Sequence, residues 1–156
     1  MAHRLRSVAL DFVESAPLRL VFAVEVSADA GAVYEALVDD VETWPAWWSA
    51  VTRIRPYPDG SGREVWLRGG ARSRETIMAR EPAERYAYRV DVTNVPGTHA
   101  LLEEWRLRST GTGTRVQWTL AAAGTAPFLF TARLGRAALG RSFRDGVRKL
   151  DRRLGG

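Results

Sequence analysis

The spacing of hydrophobic positions changes period along the chain, and each change marks a predicted element. Leu18–Val26 (LRLVFAVEV) is rich in aliphatic and aromatic residues and predicts a strand. In the segment after it, ADAGAVYEALVDD, Val33, Leu37 and Val41 recur at helical spacing and predict a short helix, with Ser27 or Asp29 as its cap. A second short helix is predicted at Thr43–Ala50, where Thr43 can cap, Pro45 suits a first turn, and Trp44, Trp47 and Trp48 cluster. From Val51 to Ala123 the period shortens. The runs VTRIRPY, REVWLRG, RSRETIMAR, RYAYRVDVT, THALLEEWRLR and TRVQWTLAAA are separated by turn signals such as Pro58-Asp59-Gly60, Gly69-Gly70 and Pro96-Gly97. Six such runs in meander order, added to the first strand, predict a seven-stranded antiparallel sheet that curls.

Pro127–Leu154 returns to helical spacing. Phe128, Ala132, Gly135, Leu139, Phe143, Val147, Leu150 and Leu154 form one apolar stripe. At ~1.5 Å per residue such a helix is roughly 40 Å long, enough to cross a sheet. Gly135, Gly140 and Gly146 each cost a free helix roughly 1 kcal/mol against alanine, so packing must hold it, and the glycines permit close approach or a bend. No repeat, low-complexity tract or linker interrupts the pattern, and residues 1–156 read as one domain of α+β class.

Alternation along the strands assigns faces. Val116, Trp118 and Leu120 fall together, as do Tyr86, Tyr88, Val90 and Val92, and as do His99, Leu101, Glu103, Trp105 and Leu107. These apolar faces are expected to be concave, because the opposite faces carry the charges. For residues 63–68 and 72–80 both faces remain open. Ile77 groups with Ser73 and Glu75, Met78 with Arg74 and Thr76, and an inward Arg74 or Glu75 would change the interior considerably.

A long helix laid across a curved sheet leaves an apolar cavity. Trp48, Trp66, Tyr86, Tyr88, Leu101, Trp105, Trp118, Leu139 and Phe143 are the expected ligand-binding residues, with the tyrosine hydroxyls available to an oxygenated guest and the indoles to its rings. Core packing competes with that reading at every aromatic position. Glu103 is the candidate acid or base, since an apolar cavity raises a carboxyl's pKa by desolvation. A bulge that shifts the register, or an inward arginine that pairs with Glu103, would leave it purely structural. His99, just after Pro96-Gly97, reads first as a rim or loop residue and second as a general base.

The order strand, two short helices, six antiparallel strands and long C-terminal helix resembles the helix-grip fold of the START-related superfamily (SRPBCC). The resemblance is nearest to its polyketide cyclase/dehydrase and lipid-transport branch. It rests on FAVEVSADAGAVYEALVDDVETWPAWW, EPAERYAYRV, EEWRLRSTGTGTRVQWTL and the terminal helix, and extends from about Leu18 to Leu154. It implies a seven-stranded curved sheet wrapped around the last helix, with Trp44, Trp47 and Trp48 where family members close the cavity mouth. It implies function only broadly. The first expectation is a binder of a hydrophobic small molecule: a polyketide, an aromatic metabolite or a lipid. The second is a polyketide cyclase, aromatase or dehydratase needing no metal or nucleotide cofactor, and the third is an interaction or stress-response module without a ligand.

Composition narrows the chemistry. The chain contains no cysteine, which removes disulfides, thiolate catalysis, zinc fingers and iron–sulfur ligation, and its two histidines, His3 and His99, lie far apart. No metal site and no cofactor are expected. Gly140-Arg141-Ser142-Phe143-Arg144 fails as a nucleophile elbow at its last position, and Gly111-Thr112-Gly113 reads as a hairpin turn. The net charge of +5 is concentrated in the last segment, where eight arginines and lysines from Arg133 to Arg153 face only Asp145 and Asp151. Without stacking or base-reading groups on that side, this is a solvated helix face, and no nucleic-acid partner is expected. Asp11 and Glu14 break the apolar run near the start, and no stretch is long enough to span a bilayer. A cytoplasmic monomer or homodimer, without stable membrane insertion, is the expectation.

Overall fold

The computed structural model describes residues 1–155. It begins with a two-residue strand, β1 (His3–Arg4), and a short helix, α1 (Phe12–Ser15), both ahead of the first predicted strand, β2 (Leu18–Val26). Helix α2 (Ala30–Val38) is capped by Asp29, not Ser27; the Asp29 carboxylate accepts the Ala32 N–H at 2.8 Å. A 3₁₀ turn (Val41–Thr43) leads into α3 (Trp44–Trp47), shorter than predicted and without a Thr43 side-chain cap. The Thr43 hydroxyl donates instead to the Asp40 carbonyl at 2.6 Å.

Six strands follow where alternation put them: β3 (Val51–Pro56), β4 (Gly62–Leu67), β5 (Arg72–Glu81), β6 (Arg85–Thr93), β7 (Thr98–Ser109) and β8 (Thr114–Gly124). They pair antiparallel in the order β2-β8-β7-β6-β5-β4-β3, a seven-strand path to which β1 adds an eighth strand by pairing with β6. The N-terminal segment missed by the sequence reading has a packing role. Val8, Phe12 and Val13 cover Ala100, Leu102, Ala121 and Ala123 on the outer face, a second apolar cluster separate from the main core.

The predicted terminal helix is two helices, α4 (Ala126–Leu134) and α5 (Arg136–Arg153), divided at Gly135. The two halves pack differently. Helix α5 buries Phe143, Val147 and Leu150, and its glycines allow close approach: a Cβ on Gly140 would stand 2.9 Å from the Phe22 ring, and one on Gly146 would stand 3.0 Å from the Trp48 indole. Helix α4 buries no residue fully, and Phe130 and Leu134 are 64% and 70% exposed. The apolar stripe is therefore a tight seam only along α5. Among the described residues no helix is long and apolar enough to cross a membrane.

Candidate functional site

Between the inner face of the sheet and the two terminal helices lies a cavity of about 510 Å³. Leu20, Val65, Leu67, Leu101 and Leu120 supply apolar surface from the strands, and Phe128, Ala132 and Leu139 supply it from the helices. Ala138 lines the cavity and is also exposed, so the space reaches the surface just past the break at Gly135.

One side of this cavity is polar, built from cross-strand neighbours. Arg63 on β4 stands opposite Glu75 on β5, and Tyr88 on β6 stands opposite Glu103 on β7. Arg63 donates from Nε to Glu75 Oε1 at 2.7 Å and from a terminal nitrogen to the Tyr86 hydroxyl at 3.2 Å. Its guanidinium lies 4.1 Å from the Tyr88 ring centre and 4.6 Å from that of Trp44, and the side chain is only 2% exposed. Burial works against that charge, but Glu75 together with Tyr86 and Tyr88 outweighs it and holds Arg63 protonated.

Glu103 has no such cation. Its Oε1 accepts the Tyr88 hydroxyl and the Trp118 indole N–H, each at 2.9 Å, while Trp105 donates to the Tyr88 oxygen at 3.1 Å. Oε2 has no hydrogen-bond partner among the described residues, and Glu103 lines the cavity. Desolvation, reinforced by the nearby Glu75 charge and only partly offset by the two hydrogen bonds, pushes its pKa up to about 7. Burial likewise raises Glu75 despite Arg63, and burial raises the Tyr88 phenol, which stays a neutral donor. The arrangement offers a guest one carboxyl oxygen that can take or give a proton near neutral pH.

The family model for polyketide cyclase/dehydrase and lipid-transport proteins matches residues 17–155. The chain belongs to that family. An uncharacterized protein of Mycobacterium tuberculosis is 32% identical over 94% of this chain and 93% of its own length. Among solved structures, XoxI of Bacillus cereus superposes with a TM-score of 0.70 at 14% identity, covering 87% of this chain and 94% of that one. A START superfamily protein of Mycobacterium smegmatis gives 0.59 at 16% identity, covering 81% and 96%. These neighbours share the helix-grip fold, and the polyketide cyclase/dehydrase family is associated with hydrophobic ligands or cyclase-like chemistry.

Of the expected binding residues of this family member, Trp48, Tyr88, Leu101, Trp118 and Leu139 line the cavity, together with Glu103. Tyr86, Trp105 and Phe143 are buried behind them. Phe143 packs on Trp118 with ring centres 5.8 Å apart, and Trp105 meets the Trp48 indole edge-on at 5.6 Å. Trp66 is placed differently: it lies on the outer face, within 5.0 Å of the guanidinium carbons of Arg53 and Arg72. His99 is exposed and outside the cavity, because a register shift between Thr98 and Ala100 turns it away from Leu101 and Glu103. The charged site residues absent from the expected set are Arg63 and Glu75. Alternation with Val65 and Leu67 was the signal for Arg63, and its register opposite Glu75 follows once the β4–β5 hairpin is set.

Proposed function

We propose that the protein holds a hydrophobic small molecule, a polyketide, aromatic metabolite or lipid, in the cavity between sheet and terminal helices. The observation that carries this reading is the 510 Å³ space with an apolar wall and a single polar side. Trp48, Leu101, Trp118 and Leu139 would supply the apolar contact, and Tyr88 and Glu103 the polar end. The test is titration with N-phenylnaphthylamine, a neutral fluorophore that brightens in apolar surroundings. Saturable binding is expected, weakened severalfold by Ala138→Trp, which places an indole at the opening. Absence of saturable binding, with a crystal structure showing the interior filled, would sink the reading.

A second reading is favoured by one observation, the near-neutral Glu103 carboxyl with an unoccupied oxygen. A cyclase or dehydratase needs a shaped cavity and one group able to move a proton. Glu103→Gln keeps both accepted hydrogen bonds on an amide oxygen and removes the proton. It should abolish turnover of a polyketide-like substrate if the protein is an enzyme, and leave N-phenylnaphthylamine binding nearly intact.

A further inference from the structure

The polar side of the cavity has an unequal balance of donors and acceptors. Arg63 is the one cation among the lining residues; Glu75 holds its Nε and balances its charge, Tyr86 takes one terminal nitrogen, and the rings of Tyr88 and Trp44 flank its plane, leaving only the second terminal nitrogen without a hydrogen bond. The Tyr88 hydroxyl and the Trp118 indole N–H both point at Glu103 Oε1, and the Trp105 N–H points at Tyr88. Farther round, the Thr98 hydroxyl donates to the Val95 carbonyl, and Ser142 accepts the Trp48 N–H. The donors beside Glu103 are thus committed, while Glu103 Oε2 stands open, an acceptor once the carboxyl is ionised. Two carboxyls line the cavity against one paired guanidinium.

We infer that the cavity selects apolar guests carrying a hydroxyl, an alcohol or phenol, directed at Glu103 Oε2, and discriminates against guests that present a carboxylate there. A buried polar group left without a partner is costly, so a guest that supplies the donor gains and one that lacks it loses. A guest carboxylate fares worst. It brings a third acidic group against Glu75 and Glu103, and the one guanidinium present is already paired with Glu75. A fatty acid is therefore the wrong lipid for this cavity, and a fatty or aromatic alcohol the right one. The inference rests on the ligand-binding reading above.

The experiment compares three guests of one shape, methylnaphthalene, naphthalenemethanol and naphthoate, by displacement of N-phenylnaphthylamine at pH 8.5. In the wild type, naphthalenemethanol should bind about tenfold tighter than methylnaphthalene, the worth of a hydrogen bond to a charged acceptor, and naphthoate should bind weakest. In Glu103→Gln, which turns an amide N–H₂ toward the cavity, the alcohol should lose most of that advantage and naphthoate should recover. If all three guests bind the wild type alike, or naphthoate binds as tightly as the alcohol, the selectivity is refuted while the cavity reading stands. If none of the three binds, the cavity reading itself fails and takes this inference with it. An alcohol preference that survives unchanged in Glu103→Gln would also overturn the assignment to that residue. Should the variant fail to fold, the wild-type ranking alone decides.

Discussion

The two faces of the sheet use the same residue types to opposite ends. On the outer face, Glu64 receives Arg55 at 2.5 Å and Arg72 at 2.8 Å, and Glu104 receives Arg85 at 2.6 Å and Arg106 at 3.1 Å. Each of these carboxylates has two arginines. The Arg72 and Arg55 hydrogen bonds hold the Glu64 pKa below its ordinary value. On the inner face, Glu75 has one arginine and Glu103 has none, and burial drives both pKa values up. Two things separate the faces: the inner carboxyls are the more deeply desolvated, and they have fewer cations dedicated to them. The outer pairs bind neighbouring strands together, whereas the inner carboxyl keeps its proton in play.

The largest expected consequence of that difference lies at Arg63. Arg63→Met should leave Glu75 buried without a counter-ion and destabilise the fold by ~3–5 kcal/mol in chemical denaturation. A loss below ~1 kcal/mol would mean that Glu75 is solvated and the inner pair is no different from the outer ones. Next in size is the pH dependence of stability. Glu103 titrates at about 7 in the folded chain and near the ordinary glutamate value of 4.5 when unfolded. Its contribution is therefore fully present below pH 4.5 and lost as pH rises through 7, a fall of roughly 3 kcal/mol. Glu103→Gln should remove that fall. Glu64→Gln should act on the other side, removing stability that is present above the ordinary carboxyl pKa and lost as acid protonates the paired carboxylate. The smallest effect belongs to Arg55→Ala on the half-exposed outer pair, at most ~1 kcal/mol and weaker in high salt.

The inner face was legible in sequence where the alternation is unbroken. Val116, Trp118 and Leu120, and Tyr86 and Tyr88, stand where a period of two puts them, and Glu103 follows from the same count along β7. The count failed at His99 because the register shifts at Thr98–Ala100, and a period of two cannot be carried across an irregularity that leaves no mark in composition. Trp66 misled for a different reason. An indole reads as interior and an arginine as exterior, yet on β4 the arginine points in, satisfied by Glu75, and the indole points out beneath Arg53 and Arg72. Only a partner on the next strand, Glu75 across the β4–β5 hairpin, makes that reversal possible, and pairing across a hairpin is not visible in one strand alone. The N-terminal packing was obscured by its targets, since the alanines of β7 and β8 under Phe12 lie among charges that read as an exposed face.

Site-resolved carbon NMR of the side-chain carboxyls, followed against pH, tests the contrast between the two faces most directly. Glu103 should titrate at about 7, with Glu64 below the usual carboxyl range in the same sample. Titration of both near the ordinary glutamate value would show that the inner carboxyl sits in water, and that the sheet encloses no sheltered polar site.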